Sequence, residues 1–61
     1  MSRILIVNGR LIDPASGLDE IGDVAIADGR IVRLGGQIDD FTPDRRIDAS
    51  GQWVIPGLID L

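Results

Sequence analysis

The sequence predicts an all-β fold, and three observations carry that prediction. The apolar residues come in short runs separated by clusters of turn residues. Two of the separators, Asn8-Gly9 and Asp28-Gly29, are the dipeptides that two-residue hairpin turns prefer, because both central residues of a type I′ turn need positive φ. No 11-residue window keeps a 3.6-residue apolar period, so little or no helix is expected.

The elements follow in order. Ile4-Leu5-Ile6-Val7 is the first apolar run and reads as a strand. Asn8-Gly9 then predicts a tight hairpin with Arg10-Leu11-Ile12 as its return strand, setting Val7 against Arg10, Ile6 against Leu11 and Leu5 against Ile12. Asp13-Pro14-Ala15-Ser16-Gly17 is a loop, since Pro14 lacks a ladder donor and Gly17 tolerates unusual dihedrals. Residues 19–22 are expected to continue that loop.

Val24-Ala25-Ile26-Ala27, Asp28-Gly29 and Arg30-Ile31-Val32-Arg33-Leu34 form a second predicted hairpin, pairing Ile26 with Ile31 and Ala25 with Val32. One of its faces carries Val24, Ile26 and Ile31; the other carries Ala25, Ala27, Val32 and Leu34. Both are apolar, so cover is expected on both sides. Gly35-Gly36 ends the strand, and residues 37–44 read as a polar loop with a lone Phe41. Arg45-Arg46-Ile47-Asp48 is a short edge-like strand, Ala49-Ser50-Gly51 a turn, and residues 52–55 the last strand before Pro56-Gly57.

Composition excludes several functions. A chain of 61 residues has room for one small domain, and such domains bury only about 60% of the surface their unfolded chains expose. There is no Cys and no His, so neither a disulfide nor the commonest metal ligands are available. The hydrophobic share of 44% is that of a folded domain. A formal charge of −4, with Arg as the only basic residue type, gives no reason to bind nucleic acid or an anionic membrane. The apolar run near the start is too short for a signal peptide or a membrane span, so a cytoplasmic location is expected.

The order of these pieces resembles the N-terminus of the amidohydrolase superfamily and, within it, the dihydroorotase group. The matching residues are Asn8-Gly9-Arg10-Leu11-Ile12-Asp13-Pro14, Gly17-Leu18-Asp19-Glu20, Gly22-Asp23-Val24-Ala25-Ile26 and Asp28-Gly29-Arg30-Ile31. They continue with Ile47-Asp48-Ala49-Ser50-Gly51 and Ile55-Pro56-Gly57-Leu58-Ile59-Asp60. The superfamily resemblance rests mainly on the joined string from Ile47 to Asp60. The Asp-Pro-Ala-Ser-Gly loop favours dihydroorotases over dihydropyrimidinases, allantoinases and aminoacylases.

The resemblance implies a TIM-like barrel plus a small β-sandwich built from both ends of the chain. Residues 1–55 would then be the N-terminal sandwich segment, and residues 56–61 the lead-in to the first barrel strand. It further implies a His-x-His metal pair just past Leu61, zinc in the full-length family enzyme, and hydrolysis of a cyclic amide by a metal-bound hydroxide. No catalytic, cofactor-binding or metal-binding residue can be assigned within the chain itself, which is expected to be inactive alone.

Several residues invite a functional role. Asp60 fits the family's Asp two positions before the first metal histidine; a strand-end Asp with structural hydrogen bonds is the plainer reading. Asp39, Asp40 and Asp44 fit no EF-hand spacing and read as a solvated loop, as do Asp19, Glu20 and Asp23. Gly35-Gly36 lacks the Lys and the helix of a phosphate cradle. Arg45-Arg46 reads as an edge-strand pair that blocks further pairing. Trp53 reads as a core or interdomain anchor rather than a ligand platform.

Two expectations compete. In one, the chain is the N-terminal portion of a dihydroorotase-like hydrolase, with a dihydropyrimidinase- or allantoinase-type parent as the variant. In the other, it is a small β module, either free-standing or completing the sandwich of a split amidohydrolase. Self-association, or pairing with a chain that supplies the missing sandwich strands or barrel, is expected in both.

Overall fold

The computed structural model describes residues 2–55. The expectations for Asp60 and for the lead-in at residues 56–61 lie outside the described residues. The all-β class holds. The described residues form β1 (Arg3–Asp13), β2 (Leu18–Ala27), β3 (Arg30–Leu34), β4 (Arg45–Asp48) and β5 (Trp53–Val54), with no helix among them. They make one open sheet in the order β3-β2-β1-β4, with β5 also on β1. The neighbours β1, β2 and β3 are antiparallel. Both β4 and β5 run parallel to β1, β4 along residues 4–7 and β5 along residues 10–11.

The first predicted hairpin does not form. β1 runs straight through Asn8-Gly9 and pairs with β2 along its whole length. Asn8 adopts φ 62, and the register slips by one residue between the pairs Ile6↔Val24 and Gly9↔Gly22. This is a β-bulge with Asn in the left-handed position, a conformation its short amide side chain tolerates. Gly9 is absent from the positive-φ residues; its role is space. A Cβ there would lie 2.6 Å from Val54 Cγ2 and 3.3 Å from the Ala49 Cβ. The dipeptide thus meets two separate needs, a left-handed dihedral and a close approach.

The bulge reverses side-chain parity along β1. Before it, Ile4 and Ile6 pack on the cluster of Leu11, Val24, Ile26, Ala49 and Val54. Leu5 and Val7 join Ala25 and Ile38 on the opposite face, with Phe41 against them. After it, odd-numbered Leu11 belongs to the first cluster. β2 also differs from expectation: it begins at Leu18, so residues 19–22 are strand, held by pairing with residues 9–12 of β1.

The second hairpin forms as predicted at its turn. Asp28 and Gly29 have φ 54 and 79, and Ile26 faces Ile31. Beyond that pair a second register shift sets Ala25 against Arg33 instead of Val32. Val32 and Leu34 are left 51% and 45% exposed, so of the residues assigned to that face only Ala25 is fully buried. The loop at residues 37–44 returns over this face, inserting Ile38 and Phe41. Arg3 ties it down: its guanidinium lies 4.3 Å from the Phe41 ring centroid, and its Nε donates to the Thr42 carbonyl at 2.9 Å. The last strand, expected over residues 52–55, is confined to Trp53–Val54.

Asp23, expected in a solvated loop, is buried at 6% exposure. Its carboxylate accepts the Asn8 amide N–H at 3.1 Å and the Ile38 amide N–H at 3.0 Å. Its own N–H donates to the Gly36 carbonyl, and its carbonyl accepts from Gly35, both at 2.9 Å. One buried side chain therefore fastens the bulge of β1 to the covering loop.

Two outcomes follow from this packing. Gly9→Ala should destabilise the fold by about 1–3 kcal/mol through overpacking, and Val54→Ala in the same chain should recover part of the loss. Asn8→Gly should be tolerated to within about 1 kcal/mol. Urea unfolding checks the series, and a neutral Gly9→Ala would refute the close approach. Asp23→Asn puts an amide N–H2 where one backbone donor now points, and should cost about 1–3 kcal/mol. Amide exchange at Asn8 or Ile38 should quicken in that variant; unchanged protection at both would exclude the shared-acceptor role.

Candidate functional site

The face covered by the loop is covered only in part. Ile38 and Phe41 roof its first half, over Leu5, Val7 and Ala25. Beyond the bulge the same face is bare. Between the roofed and bare halves lies a recess of about 390 Å³, lined by residues that include Val7, Asn8, Asp23, Gln37 and Arg46. The Asp23 carboxylate within it is already engaged by two amide donors.

The bare half is a row across three strands. Arg10 of β1 is paired with Ile21 of β2 on one side and Trp53 of β5 on the other. Ile21 and Trp53 are 65% and 67% exposed. The guanidinium of Arg10 sits 5.8 Å from the Trp53 ring centroid and makes a forked pair with Asp19, Nε to Oδ1 and Nη2 to Oδ2, both 2.9 Å. The hydrogen bond from Arg10, with its charge, holds the Asp19 carboxyl below the usual carboxylate range. Sequence reasoning does not single out Arg10; of its two readings of Trp53, a core or an interdomain anchor, the 67% exposure contradicts the core one. The alternation of β2, with Asp19, Ile21, Asp23 and Ala25 on one face, is the signal that would have joined Ile21 to this surface.

The other candidate residues are dispersed. Asp40 pairs with Arg33 at 2.9 Å. Asp44 accepts the Arg3 amide N–H at 3.0 Å. Glu20 lies exposed on β2. Among the described residues no group of three or more His, Cys, Asp or Glu is placed to hold a metal ion. Gly35 and Gly36, with φ 95 and 64, extend the ladder beside Asp23. Arg45 and Arg46 are exposed on β4, the end strand of the sheet order. No helix among the described residues is long and apolar enough to cross a membrane.

The string from Ile47 to Gly51 has a structural explanation. Asp48 Oδ1 accepts from Ser50 N at 2.9 Å and Ser50 Oγ at 2.6 Å. Ala49 is buried against the Gly9 backbone, and its N–H donates to the Val7 carbonyl at 2.9 Å. Gly51 supplies φ 79, and the Gln52 carbonyl accepts the Arg10 N–H at 2.9 Å. The turn carries the chain from β4 to β5 around the β1 bulge.

The Ser50 hydrogen bonds hold the Asp48 carboxyl below its ordinary range. A depressed folded-state value means that this turn's contribution is complete above the unfolded value of about 3.9 and is lost as pH falls below it. Ser50→Ala should move the Asp48 titration upward in a carboxyl-detected NMR experiment; an unmoved titration would assign the depression elsewhere.

No family model matches the sequence. Individual proteins do. The dihydroorotase of Syntrophotalea carbinolica is 51% identical over 59 residues, covering 97% of this chain and 14% of that protein. The dihydroorotase of Streptococcus pneumoniae is 45% identical over 58 residues, with 95% and 14% covered. A dihydroorotase-like protein of Pseudomonas aeruginosa is 43% identical over 58 residues, again with 95% and 14% covered. Among solved structures, a chain of the formyltransferase/hydrolase complex from Methylorubrum extorquens, determined with methylofuran, superposes with a TM-score of 0.65 at 43% identity. That match covers 80% of this chain and 8% of the other. The chain thus spans about 14% of the length of the curated relatives it matches. Identity at this level over nearly the whole chain, matching 14% of each relative, is that of a dihydroorotase-like N-terminal segment.

Proposed function

We propose that the chain serves as the non-catalytic N-terminal portion of a dihydroorotase-like, cyclic-amide hydrolase acting in the cytoplasm. Residues 1–55 form its sheet segment, and residues 56–61 lead into the barrel. The observation that carries this reading is the match of 97% of the chain to a dihydroorotase at 51% identity. The name shared by several relatives favours this parent over a dihydropyrimidinase or allantoinase type.

The family's metal, zinc in this reading, does not fit the residues present. The sequence has no His and no Cys. Asp23, the one buried carboxylate among the described residues, is filled by backbone donors, and Asp19 and Asp40 are held by Arg10 and Arg33. No step of hydrolysis is therefore assigned to this chain, whose contribution is to fold and to dock. A second reading, a subunit completing the sandwich of a separate barrel-bearing chain, draws on the multi-subunit nature of the Methylorubrum extorquens complex. Partners in either case are protein. The formal charge of −4 argues against nucleic acid and anionic membrane surfaces.

The test replaces the matching segment of the Syntrophotalea carbinolica dihydroorotase with this chain. The chimera should hydrolyse dihydroorotate, while the chain alone shows neither activity nor stoichiometric zinc by metal analysis. A folded but inactive chimera, or about one tightly bound zinc per isolated chain, would overturn the reading.

A further inference from the structure

Asn8-Gly9 and Asp28-Gly29 are both followed by Arg, and the fold places them in opposite surroundings. Such pairs are chemically unstable in a free chain. The glycine amide nitrogen attacks the Cγ of the preceding side chain, and no Cβ hinders its approach. The new N–Cγ bond closes a succinimide ring. The bond from Cγ to its leaving group breaks, and the amide proton departs with that group, as ammonia from Asn or as water from a protonated Asp. Water then opens the ring. Attack at Cγ gives aspartate; attack at the main-chain carbonyl gives isoaspartate, with one extra carbon in the backbone. In a free chain the Asn pair reacts faster, because Asp reacts only as the neutral acid, a minor form at neutral pH.

Ring closure requires the peptide after the Asn or Asp to turn about the Cα–C bond, so local freedom decides the rate in a folded chain. At Asn8-Gly9 that freedom is missing. The pair lies inside an eleven-residue strand. The Asn8 N–H is held by Asp23 Oδ1 at 3.1 Å. The Val7 carbonyl before it accepts from Ala49, and the Arg10 N–H after it donates to Gln52, both at 2.9 Å. Gly9 is buried, and a Cβ there would lie 2.6 Å from Val54 Cγ2, so the backbone has no room to swing.

At Asp28-Gly29 the constraints are few. The pair is the exposed turn between β2 and β3. A Cβ on Gly29 would meet nothing within 4 Å. One backbone bond, from the Asp28 N–H to the Ser2 carbonyl at 2.9 Å, ties the turn to the rest of the sheet. β3 is the end strand of the sheet order, so the hairpin tip opens without disturbing β1.

We infer that Asp28–Gly29 is the chain's site of spontaneous isoaspartate formation, and that the β1 bulge shields Asn8–Gly9, the pair that reacts faster in a free chain. The product lengthens the backbone of a two-residue turn whose dihedrals are set at φ 54 and 79. The β2–β3 hairpin is therefore the first element to loosen as the molecule ages, beginning at the Ile26–Ile31 pair beside the turn.

Peptide mapping of the chain after prolonged incubation tests this, with electron-transfer fragmentation to separate isoaspartate from aspartate. In native buffer isoaspartate should accumulate at Asp28 ahead of any product at Asn8; in concentrated urea Asn8 should lead. Asn8 should react about tenfold more slowly, or less, in native buffer than in urea, since a shielded pair reacts only through local opening. Equal Asn8 rates in the two conditions, or Asn8 ahead of Asp28 in native buffer, would overturn the inference. Asp28→Asn gives an internal control, because the same Asn-Gly dipeptide then occupies both settings and still suits the turn. The two positions should deamidate at similar rates in urea, with position 28 about tenfold faster in native buffer. Equal native rates would overturn the shielding.

Discussion

The fold depends on one irregular residue and the carboxylate that holds it. Asn8 takes φ 62 inside an eleven-residue strand, and its amide would lose its regular ladder partner at the bulge. Asp23 supplies the missing acceptor from β2 and with its second oxygen accepts from Ile38 in the covering loop. A buried carboxylate with two charge-assisted hydrogen bonds is far better placed than a buried polar group with none. The bulge, the parity of β1 and the seat of the loop are thus coupled through a single side chain.

Parity is what turns this local event into architecture. With the bulge, Ile4, Ile6 and Leu11 all reach one apolar cluster, although their numbering would place them on opposite faces of a regular strand. The reversal also puts Arg10 on the face that holds Leu5 and Val7, next to Ile21 and Trp53. On the other side of β1, the bulge coincides with the turn between β4 and β5, where Ala49 and Val54 fill the space that Gly9 leaves empty. β4 and β5 can therefore flank one strand in sequence, both parallel to it, because their connection bends where β1 bends.

What the sequence disclosed depended on the range of each interaction. Asp28-Gly29 was legible because a hairpin turn is decided by its own two dihedrals, with φ 54 and 79 as the dipeptide implies. Asn8-Gly9 carries the same local signal, but its outcome is set by Asp23 and by Val54, both distant in sequence. The extended strand prevails because β1 gains a full-length partner in β2. Asp23 looked like one more loop acid; only its place in the alternation with Ala25 marks it as inward-facing. β4 was legible to the residue, although nothing local shows that it pairs in parallel with β1. The bare row was hidden for the same reason. Arg10 meets Ile21, Asp19 and Trp53 only once three strands are assembled.

The signature string therefore bears on function indirectly. Ile47-Asp48-Ala49-Ser50-Gly51 ends β4 and forms a turn, in which Asp48 Oδ1 accepts from Ser50 N and Oγ and the Ala49 N–H donates to the Val7 carbonyl. Asp48 fixes the backbone, Ala49 is small enough to sit against Gly9, and Gly51 takes the dihedral that directs the chain into β5. A turn constrained on three sides directs the chain into Trp53–Val54, which pairs with β1. Within the described residues, that turn lets Trp53 of β5 pair beside Arg10, which faces Ile21 on β2.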